Sequence, residues 1–198
     1  MINKKILNNV MAYINRGRGS LARQGGGFEI HCPQGLGSSN LPPGAMLSDS
    51  DIIRALDNGD IKISGFDEKH LTPNGYDLSI GEVFIPSVNT HIKSGKVEIT
   101  ALTRFLVGTM ETIKLSNKYA AQLWIKSRWT RRGIIASFGM VDAGFNGTLT
   151  LGAFATDRIT LEIGDRFVQI VFLKLKNPSE KGYDKRSGNY QNQKGIRI

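Results

Sequence analysis

From Met46 onward, apolar and polar positions fall into short segments separated by Gly, Asn, Asp or Pro. The first segment has helical spacing. Ser48-Asp49-Ser50-Asp51 supplies N-cap candidates, Ile52, Ile53 and Leu56 give one apolar face, and Asn58-Gly59 a stop, so one short helix is predicted. The later segments read as strands over 76–86, 96–99, 105–109, 119–126, 133–138, 147–155, 158–162 and 167–175. Thr148 to Phe154 alternates, as a half-buried strand should, whereas Val168 to Leu175 is apolar nearly throughout and is predicted to be central. About eight short strands without long helices predict an all-β sandwich, jelly roll or partly closed barrel.

Residues 1–45 are different. Ile6 to Ile14 has the spacing of a short amphipathic helix, and Gly/Arg/Ser/Pro-rich sequence follows, ending in Asn-Leu-Pro-Pro-Gly-Ala. Such a composition buries too little apolar surface to offset its ordering entropy. The expected organisation is an accessory or poorly ordered extension over 1–45 and a β domain over 46–198. Arg18 to Gly25 looks like a phosphate loop, but no strands flank it, and it reads as chance.

Composition narrows the function. The 198 residues are 40% hydrophobic and 22% charged, a globular balance. The single cysteine, Cys32, permits no intrachain disulfide, and a reducing, cytoplasmic setting is expected. One cysteine and three scattered histidines (His31, His70, His91) cannot build a cysteine/histidine zinc site, which excludes the zinc-dependent nucleotide deaminases. No apolar run approaches the roughly 20 residues of a membrane span, and no membrane partner is expected. The net charge of +9 points to an anionic partner. Residues 1–45 carry five basic residues against one acid, and the body carries 21 against 16, dense only at Lys126 to Arg132 and near the C-terminus.

Four clusters carry chemical information, and each also has a plain structural reading. Pro73 to Gly81 is a turn entering a strand, with Asp77 placed to face a phosphate or its metal ion. Lys126-Ser127-Arg128-Trp129-Thr130-Arg131-Arg132-Gly133 is either a solvated basic turn or a polyphosphate site. With Trp124 and Trp129 for stacking it could also bind nucleic acid. Gly139 to Gly147 is either a hairpin with Asp142 as turn former or a partly shielded acid that deprotonates a water. The polar tail from Tyr183 to Gly195 is either a loose terminus or a lid that orders over a bound anion.

In order and spacing the motifs are more specific than any one of them. Ser48-Asp49-x-Asp51-Ile52, Pro73-x-Gly75-Tyr76-Asp77-Leu78, Lys126-Ser127-x-x-x-Arg131-x-Gly133, Val141-Asp142-x-Gly144-Phe145-x-Gly147, Gly164-Asp165-Arg166-Phe167-x-Gln169 and Gly188-x-Tyr190-Gln191-x-Gln193 together resemble the dCTP deaminase/dUTPase superfamily over residues 46–198. The resemblance implies a distorted β jelly roll of the dUTPase-like type, a homotrimer with active sites at subunit interfaces, and a deoxynucleoside triphosphate substrate held with Mg²⁺. Deaminases of the family carry a glutamate on the strand after Asp-x-Gly; here Gly152 stands there. The chain is most similar to the archaeal-type dUTPase branch, which implies hydrolysis of dUTP to dUMP and pyrophosphate, serving pool sanitation and dTTP supply. A dCTP deaminase or bifunctional enzyme is the alternative, and a basic β-barrel binding nucleic acid is less expected.

On this resemblance Asp142 orients and activates the water. Ser127 and Arg131 bind phosphate oxygens with Lys126 and Arg128 assisting, and Asp77 helps hold Mg²⁺ through water. Phe145 shapes the deoxyribose pocket, the backbone around Ser137, Phe138, Gly139 and Met140 reads the uracil edge, and Tyr190 and Gln193 close the site from a lid over about 183–198. Two positions depart from the family pattern: Arg128 replaces the second serine of Arg-Ser-Ser, and Asn189 a frequent lysine.

Overall fold

The computed structural model describes residues 46–198; the extension predicted over 1–45, with its helix and its loop-like Arg18 to Gly25, lies outside them. The first element is helix α1 (Asp49–Asp57), which the predicted cap starts. Ser48 Oγ accepts from the Asp51 N–H at 3.3 Å, and the Ser48 N–H donates back to the Asp51 carboxylate at 3.1 Å. This reciprocal pair satisfies two end donors and contributes about 1 kcal/mol. Ile52 and Ala55 are buried beneath it.

The remainder is strand. In chain order the strands are β1 (Ile61–Ile63), β2 (Leu71–Thr72), β3 (Gly75–Ile85), β4 (Thr90–Ile92), β5 (Lys96–Ile99), β6 (Thr103–Thr109), β7 (Ile113–Leu115) and β8 (Tyr119–Ile125). They continue with β9 (Ile134–Ala136), β10 (Met140–Val141), β11 (Asn146–Gly147), β12 (Thr150–Ala155), β13 (Ile159–Glu162) and β14 (Arg166–Lys174). Single turns of helix, α2 (Ser127–Thr130) and α3 (Tyr183–Arg186), follow β8 and β14. All the strand pairings are antiparallel, and the longest path runs β10-β8-β14-β3-β6-β12-β9. This is an all-β, distorted jelly roll or barrel of the expected class.

Strand β3 is the hinge of the architecture. Residues 76–79 pair with β14, whereas residues 80–84 pair with β6. The change of partner falls at a bulge between Ile80 and Glu82, where an extra residue bends the strand. Gly81 sits in that bulge because a Cβ there would lie 2.9 Å from the Met110 backbone. The predicted central strand β14 lies between β8 and β3, and β12 shows the predicted alternation of inward and outward residues. The core includes Phe105, Phe167 and Trp129, with ring centroids 6.4 and 5.8 Å apart along the series.

Candidate active site

A pocket opens between the turn around β10 and the first half of β12. Its wall carries Ser137, Phe138, Gly139, Met140 and Asp142 from one side and Leu149 to Gly152 from the other. Phe145 is buried at its base, 5.6 Å edge-to-face from the Tyr183 ring of α3. Tyr190 and Gln193 of the tail complete the wall, so the nucleoside-binding residues expected from the sequence, with Asp142, come together in one cavity of about 460 Å³. Asp142 is more open than the sequence implied: its side chain is exposed at the rim rather than shielded. Its loop is set by Gly144, whose φ of +83° is open to glycine, and by the Phe145 N–H donating to the Asp142 carbonyl at 3.1 Å.

The tail is docked on its own chain. Gln191 Oε1 accepts from the Asn146 N–H at 3.0 Å while its amide donates to the Gly144 carbonyl at 3.0 Å. Gln193 is buried, pairs with Gly147 in a parallel bridge, and donates from Nε2 to the Thr148 carbonyl at 2.5 Å. Backbone groups left over by the Asp142 loop and the short β11 are thereby satisfied. Asn189, where the family pattern often has lysine, is exposed and outside the pocket.

The basic turn is elsewhere. None of Lys126, Ser127, Arg128 or Arg131 lines the Asp142 pocket. Trp129 is the pivot of this turn. It is fully buried, donates from Nε1 to the Arg166 carbonyl at 2.9 Å, and carries the Arg128 and Arg132 guanidinium groups over its ring at 4.3 and 5.1 Å. Arg128 also pairs with Asp165 at 3.2 Å. A buried, hydrogen-bonded Trp129 is not available for base stacking, which corrects that expectation; Trp124 is exposed. Among the described residues Arg131 makes no ion pair and the Ser127 hydroxyl no hydrogen bond, so both are free to meet an anion.

Asp77 also departs from its expected role. It is 2% exposed, its Oδ2 meets the Lys126 ammonium, and Arg166 Nη1 lies 3.7 Å away. Its Oδ1 is enclosed without a hydrogen-bond partner. A carboxylate already paired with two cations does not fit an Mg²⁺ ligand, because the divalent ion would meet positive charge beside it. No group of three or more His, Cys, Asp or Glu side chains among the described residues is arranged to hold a metal. The residues present therefore supply no magnesium cage of their own.

Sequence reasoning missed part of the wall. Arg104 of β6, Tyr183 of α3 and Arg197 of the tail also line the pocket, and the Arg197 guanidinium lies 5.7 Å over the Tyr190 ring. Register placed Arg104 there: β6 pairs with β12 so that Arg104 stands opposite Phe154 and Leu106 opposite Gly152. No local pattern in the sequence encodes that pairing.

The structure is thus an antiparallel, barrel-like β domain with an acid at the rim of an aromatic-floored pocket and a separate basic turn. A dCTP deaminase-like family model matches residues 87–175. The dCTP deaminase of Thermococcus kodakarensis is 38% identical over 143 residues, covering 70% of this chain and 90% of that protein. A probable deoxyuridine 5'-triphosphate nucleotidohydrolase of Sulfolobus islandicus rod-shaped virus 1 is 33% identical over 156 residues, covering 77% and 97%. The fold matches the crystal structure of 2'-deoxycytidine 5'-triphosphate deaminase from Agrobacterium tumefaciens with a TM-score of 0.57 at 21% identity, over 67% of this chain and 48% of that one. The chain belongs to the dCTP deaminase/dUTPase superfamily. No described helix is long and apolar enough to cross a membrane.

Proposed function

We propose that this chain hydrolyses dUTP to dUMP and pyrophosphate, at a site that one copy opens and a second copy completes. One observation carries the reading: among the described residues Asp142 is the only acidic side chain on the pocket wall, and Gly152, where the family's deaminases place glutamate, lines the same pocket without a functional group. Attack on the pyrimidine ring needs a proton shuttle within hydrogen-bond reach of C4 and its water. Attack on phosphorus needs a base, an aligned water and cations around the phosphates.

In this reading Phe145 lies under the deoxyribose and the Ser137 to Met140 backbone reads the uracil. Asp142 takes a proton from a water that adds to the α-phosphorus. The bond from that phosphorus to the oxygen bridging to the β-phosphate breaks, and pyrophosphate leaves with its electron pair. Mg²⁺ enters with the triphosphate as part of the substrate. The basic turn lies off the pocket, so its Ser127 and Arg131 come from a neighbouring copy in a homotrimer. Lys126 and Arg128, held by Asp77 and Asp165, assist by charge. Tyr190 and Gln193 close the pocket from the tail.

Deamination of dCTP is the second reading, favoured by the name of the Thermococcus relative. Incubation with dUTP and, separately, dCTP in the presence of Mg²⁺, with products separated by chromatography, distinguishes them. The expected result is dUMP and pyrophosphate from dUTP and no ammonia from dCTP. Ammonia from dCTP with dUTP left intact overturns the proposal.

A further inference from the structure

We propose that Glu82, which does not line the pocket, is the positioning residue that fixes the tail as the pocket's wall. Glu82 sits at the bulge of β3, opposite Gly108 on β6. It is 6% exposed, and a carboxylate so enclosed persists only with partners. Its Oε1 accepts the backbone N–H of Ile196, 114 residues later in the chain. Its Oε2 lies 2.8 Å from His91 Nε2 and 3.5 Å from Lys93 Nζ, both on the β4 side.

Two glycines from distant segments make room for this one side chain. A Cβ on Gly108 would stand 2.8 Å from Glu82 Cγ and 3.1 Å from the Ile196 side chain. Gly195 adopts a φ of +71°, and a Cβ there would run into Glu82 Oε1. The tail therefore arrives at Glu82 by a backbone path that only glycine follows easily.

Either side of this anchor the tail serves the pocket. Gln193, three residues before Ile196, and Arg197 and Ile198, just after it, line the wall. The Arg197 N–H donates to Thr150 Oγ1 at 3.1 Å, and Thr148 Oγ1 donates to the Gly195 carbonyl at 3.2 Å. These neutral bonds to hydroxyls are the weaker ones; the bond from a backbone N–H to an enclosed carboxylate is charge-assisted and stronger. Glu82 thus acts through Ile196 on the placement of Arg197, without touching substrate.

The test combines hydrogen exchange with kinetics on the full chain. In Glu82→Ala the amides of Ile196 and Arg197 are expected to exchange at least about tenfold faster. Asn192, whose N–H bonds to the Asn146 carbonyl, is expected to change far less, and the β8 and β14 amides to stay protected. Glu82→Gln keeps a carbonyl for the Ile196 N–H and is expected to restore most of the protection. Gly195→Ala attacks the same contact from the tail, outside the barrel, and serves where Glu82→Ala does not fold. Unchanged protection of Ile196 and Arg197 in a folded Glu82→Ala or Gly195→Ala protein overturns the proposal.

The kinetic arm rests on the dUTPase reading. There KM for dUTP is expected to rise about tenfold in Glu82→Ala with a smaller change in kcat. A fall in kcat alone, with KM unchanged, also overturns the proposal. If the wild-type chain leaves dUTP intact, that reading fails, while loss of tail protection still supports the anchor.

Discussion

The Lys126 ammonium rests on the carboxylate of Asp77, 49 residues earlier in the chain, and so ties the start of the basic turn to the first part of β3. Asp77 is almost wholly enclosed, whereas Lys126 keeps a quarter of its side chain in water. Removing the acid leaves a half-buried cation and Arg166 without their anion. Asp77→Ala is expected to lower the unfolding free energy by about 2–3 kcal/mol, below the ~3–5 of a fully buried pair. Adding Lys126→Met should recover about 1–2 kcal/mol, the sign of a coupled pair. Urea denaturation of the two variants checks both values.

The proposed division of the site between two copies makes a prediction that a single-chain site would not. Asp142→Asn removes the base and Arg131→Ala an anion contact, and each alone is expected to lower turnover by about 10²–10⁴. Asp142→Asn should still bind a non-hydrolysable dUTP analogue. When both variants are assembled together in equal amounts, one interface in four pairs an intact Asp142 with an intact Arg131, so about a quarter of wild-type activity returns. Mixed activity no greater than that of either variant alone would place both residues in one copy's site.

Much of this arrangement was legible in the sequence, for reasons that differ by element. The cap of α1 depends on Ser48 and Asp51, three residues apart, and is local. The long strands β3, β8, β12 and β14 announce themselves by period and length. The strands β1, β2, β4, β7 and β10 have two or three residues each, and several exist only through distant partners: Ile113 to Leu115 pairs with Ile61 to Ile63 and again with Asn146 and Gly147. At the site, the Asp142 loop is one contiguous segment and could be read directly. Arg104 and Arg197 reach it by register and by the path of the tail, and the ion pairing of Asp77 is not legible locally because its cationic neighbours Lys126 and Arg166 come from two other strand ends.

Gly152 supplies a test of specificity that is independent of the base. A Cβ built there meets only Leu106 Cδ2 at 3.8 Å, an ordinary contact, and the residue is exposed to the pocket. Its backbone is not in the left-handed region, so a side chain brings no strain. Gly152→Glu is therefore expected to fold with a stability within about 1 kcal/mol of wild type, helped by the smaller backbone entropy cost of glutamate than of glycine in a strand. It places a second carboxylate in the pocket, whose wall also carries Arg104. Thermal unfolding reads the stability, and ammonia release from dCTP reads whether the added acid works on the pyrimidine. A large loss of stability would show that the pocket is narrower than its geometry indicates.

Glu111 gives the barrel a pH dependence of defined sign. It follows β6 and is buried, with its two oxygens accepting from the Ser79 N–H at 3.1 and 2.9 Å, where β3 changes sheets. Burial pushes its carboxyl above the ordinary glutamate value of 4.5, and the bonds from Ser79 only partly oppose the shift. The folded chain then holds this proton at pH values where the unfolded chain has released it. Stability from this group is present on the acid side and is lost as pH rises from about 4.5 through the raised folded value. Glu111→Gln keeps a carbonyl for the Ser79 N–H and cannot ionise. The difference in unfolding free energy between Glu111→Gln and wild type is expected to grow in favour of the variant as pH rises through that window, and to level off above it. Parallel urea denaturation series from pH 4 to pH 8 measure the difference directly, and a constant difference across that range would show that Glu111 titrates alike in the folded and unfolded chain.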